Sequence, residues 1–114
     1  MNEYKPDRWV VVKANFEGSE YYKILGSWYG GYGGSDSWKL SSGILSAKFD
    51  QHRGRYTFPQ VSKSVYLCHK DTYGTSGYTQ SVFDHWVEKL EEKGSGKSLL
   101  ILSEETDFLG LDYK

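Results

Sequence analysis

A chain of 114 residues with 14 Lys and Arg against 15 Asp and Glu carries a net charge of −1. That excludes a nucleic-acid binder held by bulk positive charge, and the length fits one domain able to bury a core. The lone cysteine, Cys68, excludes an internal disulfide, and no apolar run approaches the ~18 residues of a membrane-spanning helix.

Aromatic residues make up 17% of the chain, with ten Tyr and four Trp, a bias that favours strands. Met1 to Arg8 is polar and lacks the apolar centre of a signal peptide. With a single thiol, this gives the expectation of a soluble, cytoplasmic protein.

Trp9-Val10-Val11-Val12 lies in a β-branched run, Arg8 to Ala14, that reads as a buried first strand. A turn at 16–19 leads to a second strand, Glu20 to Trp28, with Tyr22, Ile24, Gly26 and Trp28 on one face. A glycine- and aromatic-rich connection follows, left through Ser37 to Leu40 and punctuated by Ser41-Ser42-Gly43. Ile44 to Asp50 alternates, which predicts a half-buried strand with Leu45, Ala47 and Phe49 inward. Arg55 to Phe58 is the returning strand, and Ser62 to His69 alternates again, with Ser64, Tyr66 and Cys68 opposite Val65 and Leu67.

A tyrosine-rich loop, 71–78, precedes the one helix, expected over about 80–93. Val82, Phe83, Trp86, Val87 and Leu90 form its apolar stripe, Ser81 suits its N-cap and Gly94 its C′ position. Leu99 to Leu102 is a final strand, apolar on both faces and therefore expected in the middle of a sheet. The fold class is α+β: a curved antiparallel sheet or small open barrel of about six to seven strands, closed on one side by the helix. Residues 1–103 form the globular domain and 104–114 an acidic C-terminal tail. Short sheets leave edges to cover, so a homo-oligomer is a reasonable expectation.

The densest chemistry lies in residues 28–38. Trp28, Tyr29, Gly30, Gly31, Tyr32, Gly33, Gly34, Asp36, Ser37 and Trp38 gather bare main chain, ring faces, a carboxylate and a hydroxyl. One reading is a long hairpin connection whose tryptophans fill the core. The other is a ligand site in which main-chain N–H groups cradle an anion. Rings would then stack on a planar group at ~1–3 kcal/mol each, with Asp36 and Ser37 fixing orientation. Ser42, His69 and Tyr73 complete the candidate ligand-binding set. Residues 38–70 carry Lys39, Lys48, Arg53, Arg55, Lys63 and Lys70 against Asp50 alone, a cationic block suited to an anionic partner.

The stretches Trp28-Tyr29-Gly30-Gly31-Tyr32, Asp36 to Ile44 and Ser62 to His69 resemble small uncharacterised proteins encoded by tailed bacteriophages. The resemblance covers residues 28–74. It implies an origin in a phage genome and action inside an infected bacterium, where small accessory proteins often neutralise a host factor or signal. It brings no catalytic residue with it.

Other motifs dissolve on inspection. Gly94-Ser95-Gly96-Lys97-Ser98 imitates a phosphate loop, but Glu91 stands where the motif needs a glycine and the helix precedes the loop. Cys68 and His69 are neighbours on a strand and point to opposite faces, so Cys68 is expected buried and His69 exposed. His52, His69 and His85 show no metal-ligand spacing. Arg53, Arg55 and Lys63 with Tyr56 and Tyr66 make a basic-aromatic surface, without a recognisable nucleic-acid-reading motif.

The leading expectation is therefore a non-enzymatic binding protein that captures a small anionic or nucleotide-like ligand, with no cofactor, metal or membrane partner. The alternative is an inhibitor that docks on a host protein through exposed tyrosines or the acidic tail. A small hydrolase using Asp36 and His69 ranks third.

Overall fold

The computed structural model describes residues 2–30, 36–94 and 96–113. In chain order the elements are β1 (Glu3–Tyr4), β2 (Arg8–Phe16), β3 (Ser19–Trp28), β4 (Ser37–Leu40), β5 (Lys48–Asp50), β6 (Arg55–Pro59), β7 (Val65–His69), α1 (Gly77–Lys93) and β8 (Lys97–Ile101), with a short 3-10 turn at Lys70–Thr72. The class is α+β with one helix, as expected from the sequence. The single curved sheet or open barrel is corrected to two separate four-stranded sheets, ordered β4-β3-β2-β8 and β1-β7-β6-β5.

The split happens at residues 41–47. Ser41 still belongs to the first sheet, since its N–H donates to the Ile24 carbonyl (2.8 Å) and its Oγ accepts from the Ile24 N–H (2.8 Å). Ile44 reaches both sheets, its N–H donating to the Tyr22 carbonyl (2.8 Å) while it forms an isolated bridge with Gln60, and regular pairing resumes at Lys48↔Thr57 in the second sheet. The buried Gln60 side chain stands in for the missing ladder, accepting from the Gly43 N–H (3.2 Å) and donating to the Phe58 carbonyl (2.9 Å). Because 44–47 is not a regular strand, its alternation breaks: Ile44 is buried and Leu45 is exposed, the reverse of the expected order.

β2 is the middle of the molecule. Its Trp9 and Val11 face the second sheet, in a core with Ile24, Ile44, Phe58, Tyr66, Cys68 and Phe108. Its Val10 and Val12 face the helix, with Leu25 and Phe83. An uninterrupted apolar run is what a strand covered on both faces requires. The expected helix stripe supplies Phe83, Trp86 and Val87 to that second core. The helix begins a turn earlier than expected, because Ser76 rather than Ser81 caps it, accepting from the Thr79 N–H at 3.1 Å. Gly94 ends it in the left-handed region, at φ 54°.

β8 is an edge strand, not a central one, since it pairs with β2 alone. Leu99 and Ile101 face the helix, but Leu100, opposite Lys13 on the other face, is 59% exposed. The acidic 104–114 segment carries Phe108 into the core, where it lies 5.6 Å from Trp9 between ring centroids. Among the described residues no helix is long and apolar enough to cross a membrane.

Candidate functional site

Of the loop residues nominated from the sequence, Gly31, Tyr32, Gly33 and Gly34 lie outside the described residues. The rest are placed by the β3–β4 ladder, in which Ser27 pairs with Trp38 and Trp28 with Ser37. Paired residues share a face, so the two tryptophans point to opposite sides of one sheet. Trp28 turns towards the second sheet, edge-on to Tyr4 at 6.4 Å, and donates from Nε1 to the Lys5 carbonyl (3.0 Å). Trp38 turns towards the helix and meets Trp86 edge-on at 4.9 Å, remaining 37% exposed. These two rings therefore do not form one stacking wall.

The two main-chain donors described at the start of the loop, those of Tyr29 and Gly30, are engaged internally. The Tyr29 N–H donates to Asp7 Oδ2 (2.8 Å) and the Gly30 N–H to Asp36 Oδ1 (3.0 Å). Two of the chain's own carboxylates thus occupy donors that were candidates for an external anion. Asp36 satisfies the turn rather than reaching towards a ligand.

His69 and Tyr73 belong to the framework. The His69 carbonyl accepts from Trp9 Nε1 (2.7 Å), and its Nδ1 accepts from the Asp71 N–H (3.2 Å). As expected, Cys68 is buried and His69 exposed, and burial pushes the Cys68 thiol well up. The Tyr73 hydroxyl accepts from the Val11 N–H (3.0 Å) and donates to the Leu102 carbonyl (2.6 Å). Burial, which outweighs the Val11 hydrogen bond, pushes that hydroxyl up to about 12. Asp36 and His69, the pair a hydrolase would need, engage Gly30 and Asp71 rather than each other.

Directly after β4 the structure opens a cleft of about 330 Å³ that the sequence did not assemble. It is lined by Tyr4, Lys39, Leu40, Ser41, Ser42, Ser62, Ser64 and Tyr66, so it lies where the two sheets meet. Ser42, alone of the sequence-nominated set, is part of it. The Lys39 Nζ sits 5.2 Å from the Tyr4 ring centroid, a cation–π distance. Ser42 Oγ accepts from the Ser62 N–H (3.0 Å), which leaves the Ser42 hydroxyl proton free to donate. The Ser62 and Ser64 hydroxyls are joined at 3.3 Å, and one proton of that pair also remains.

Tyr66 lies at the base of the cleft and is 1% exposed. Its hydroxyl is buried and has no hydrogen-bond partner among the described residues. Desolvation first, then Tyr4 and Cys68, hold it above the ordinary tyrosine value, so it stays a neutral donor. An orphaned buried polar group costs about 1–3 kcal/mol. The described lining of the cleft thus holds one ammonium, several hydroxyls able to donate and no carboxylate, which makes it chemically suited to an anion.

One signal in the sequence could have located it. Ser62, Ser64 and Tyr66 recur at a period of two beside the cationic block that begins at Lys39, but only the tertiary fold brings Tyr4 and Lys39 to them. His69, at the far end of β7, lies about 10 Å from Tyr66 at the usual strand rise. Among the described residues no group of three or more His, Cys, Asp or Glu could hold a metal ion. No protein-family model, no curated protein and no solved structure matches the chain.

Proposed function

We propose that the protein captures a small anionic ligand without transforming it, in the cleft between Lys39 and Ser64 rather than within the glycine loop. The observation that carries this reading is that Lys39, Ser42, Ser62 and Ser64 line one cleft together with Tyr66, whose hydroxyl is buried without a partner among the described residues. A phosphate or carboxylate would take up donors that nothing else in the described chain uses. The Tyr4 ring in the cleft wall, with Lys39 over it and the Tyr66 ring 5.0 Å away, adds apolar surface that a nucleotide-like ligand would meet beside the ammonium. The phage setting, with sequestration of a host signal as an anti-defence role in the bacterial cytoplasm, rests on the resemblance of residues 28–74 alone.

Calorimetric titration with inorganic phosphate and with adenosine monophosphate tests the site. Lys39→Ala should weaken binding roughly 10- to 100-fold, the value of a charge-assisted hydrogen bond. Trp38→Ala, on the other side of the sheet, should leave it unchanged. Loss on Trp38→Ala with Lys39→Ala silent would return the site to the loop, and no binding of either probe would remove the capture reading.

A second reading, docking on a host protein, is favoured by the exposure of Tyr21, Tyr29 and Tyr78, since tyrosine anchors suit such interfaces. The 104–114 segment serves that reading less well than a free tail would, because Phe108 is held in the core.

A further inference from the structure

A second depression, of about 260 Å³, adjoins the anion cleft and is lined by Tyr21, Tyr22, Ser42, Gly43, Ile44, Leu45, Val61 and Tyr113. The two share Ser42. They also share both chain segments: Ser41 and Ser42 run on into Gly43, Ile44 and Leu45, and Ser62 follows Val61. The segments are tied together by the Val61 N–H donating to the Gly43 carbonyl (2.8 Å) and the Ser62 N–H to Ser42 Oγ (3.0 Å). That pair of hydrogen bonds joins residues that line both depressions, so we take the Ser42–Gly43 step as the ridge between them. Gly43 suits this close approach: its φ is 145°, and a Cβ there would come within 3.3 Å of Val61 Cγ2.

The chemistry changes across the ridge. On one side lie an ammonium and hydroxyls; on the other lie aliphatic side chains and tyrosine rings. Leu45 and Val61 are 56% and 62% exposed, although each could have been a serine without loss to the buried core. Exposed apolar side chains gathered around a concavity mark a contact surface, and here that surface is continuous with the donor-rich cleft.

We propose that the ligand is a soluble anion bearing an apolar arm, such as a monoalkyl or aryl phosphate. Its charged head sits among Lys39, Ser42 and Ser64, and its arm crosses the Ser42–Gly43 ridge to lie against Leu45, Val61 and Tyr22. The inference rests on the capture reading above and adds the second half of the molecule to be captured. The apolar depression holds a single chain or ring, so a free small molecule rather than a diacyl lipid is the occupant.

Calorimetry with inorganic phosphate and with methyl through octyl phosphate separates the two claims. Affinity should rise about three- to fourfold per added methylene until the groove is filled, the value of burying one CH₂. Leu45→Ser and Val61→Ser should flatten that rise while leaving inorganic phosphate binding unchanged. Both side chains are exposed, so folding should be unaffected. Phosphate binding with no dependence on chain length would overturn the apolar arm and leave the capture reading standing. Binding of none of the probes would overturn both. Capture of the protein on phosphatidic acid vesicles, with no binding of free alkyl phosphates, would overturn the soluble ligand.

Discussion

Tyr73 sits in the aromatic cluster around Trp9 with its hydroxyl accepting from β2 and donating to the segment after β8, whereas Tyr66 lies beneath the cleft with a hydroxyl that has no partner among the described residues. Around Trp9 three polar tips are tied down, the indole N–H to His69, the Tyr73 hydroxyl on both sides and the Tyr113 hydroxyl to the Phe108 carbonyl, while Arg8 Nε is buried without a partner among the described residues. The same kind of side chain closes one region and leaves the other chemically open. Aromatic density by itself therefore does not mark a site; an unsatisfied donor in the lining of an open cleft does.

The largest effect that would break this contrast is at the closed end. Phe108→Ala should cost about 3–5 kcal/mol, as for other buried phenylalanines, measured as the shift in urea unfolding. A near-neutral result would mean that the 104–114 segment is not part of the core. Tyr73→Phe comes next, at about 1–3 kcal/mol, because the Val11 N–H and the Leu102 carbonyl both lose their partner.

The pH dependence sharpens the same point. With its value raised from 10.0 to about 12 in the folded state, Tyr73 keeps its proton longer folded than unfolded. Its stabilising contribution is complete below pH 10 and is lost as pH rises through about 12. Urea midpoints of the native protein should fall over that window, and those of Tyr73→Phe should fall less steeply. The smallest effect is expected of Tyr66→Phe, within about 1 kcal/mol and in the stabilising direction, since it deletes a polar group that has nothing to bond. A loss comparable to that of Tyr73→Phe would show that the Tyr66 hydroxyl is already paired.

Much of the fold could be read in the chain because its strongest patterns are local. The β-branched run at 9–12, the 82–90 stripe and Gly94 each carry their instruction within a few residues; the structure buries the run, takes Phe83, Trp86 and Val87 from the stripe, and ends the helix at Gly94, as its C-cap rather than its C′ residue. What was misread depended on partners elsewhere. Leu99 to Leu102 looks doubly buried, yet the strand lies at an edge because only β2 is beside it. Ile44 to Asp50 looks like one strand, but the Gln60 side chain replaces half its ladder and reverses Ile44 and Leu45. The helix start slipped from Ser76 to Ser81 because the first helical turn holds none of the stripe residues.

The site suffered the same way. Trp28 and Trp38 are close in sequence, and only the β3–β4 register sends them to opposite faces. The cleft gathers Tyr4, Lys39 and Ser62 from three separated segments, and no short motif encodes that convergence. The cationic block was a real signal, too broad to single out Lys39.

The contact between Trp9 and Phe108 has a kinetic side. The two rings stand almost the whole chain apart, so loop-closure entropy must be met before their packing contributes. Early in synthesis β2 and β3 can zip into a hairpin, but Trp9 waits for Phe108 and for the Leu102 carbonyl that anchors Tyr73. A nascent chain stalled before residue 102 would therefore leave the Trp9 indole covered by Tyr56, Phe58 and Tyr73 but open on the side that Phe108 closes, exposed to misassociation until the final segment arrives.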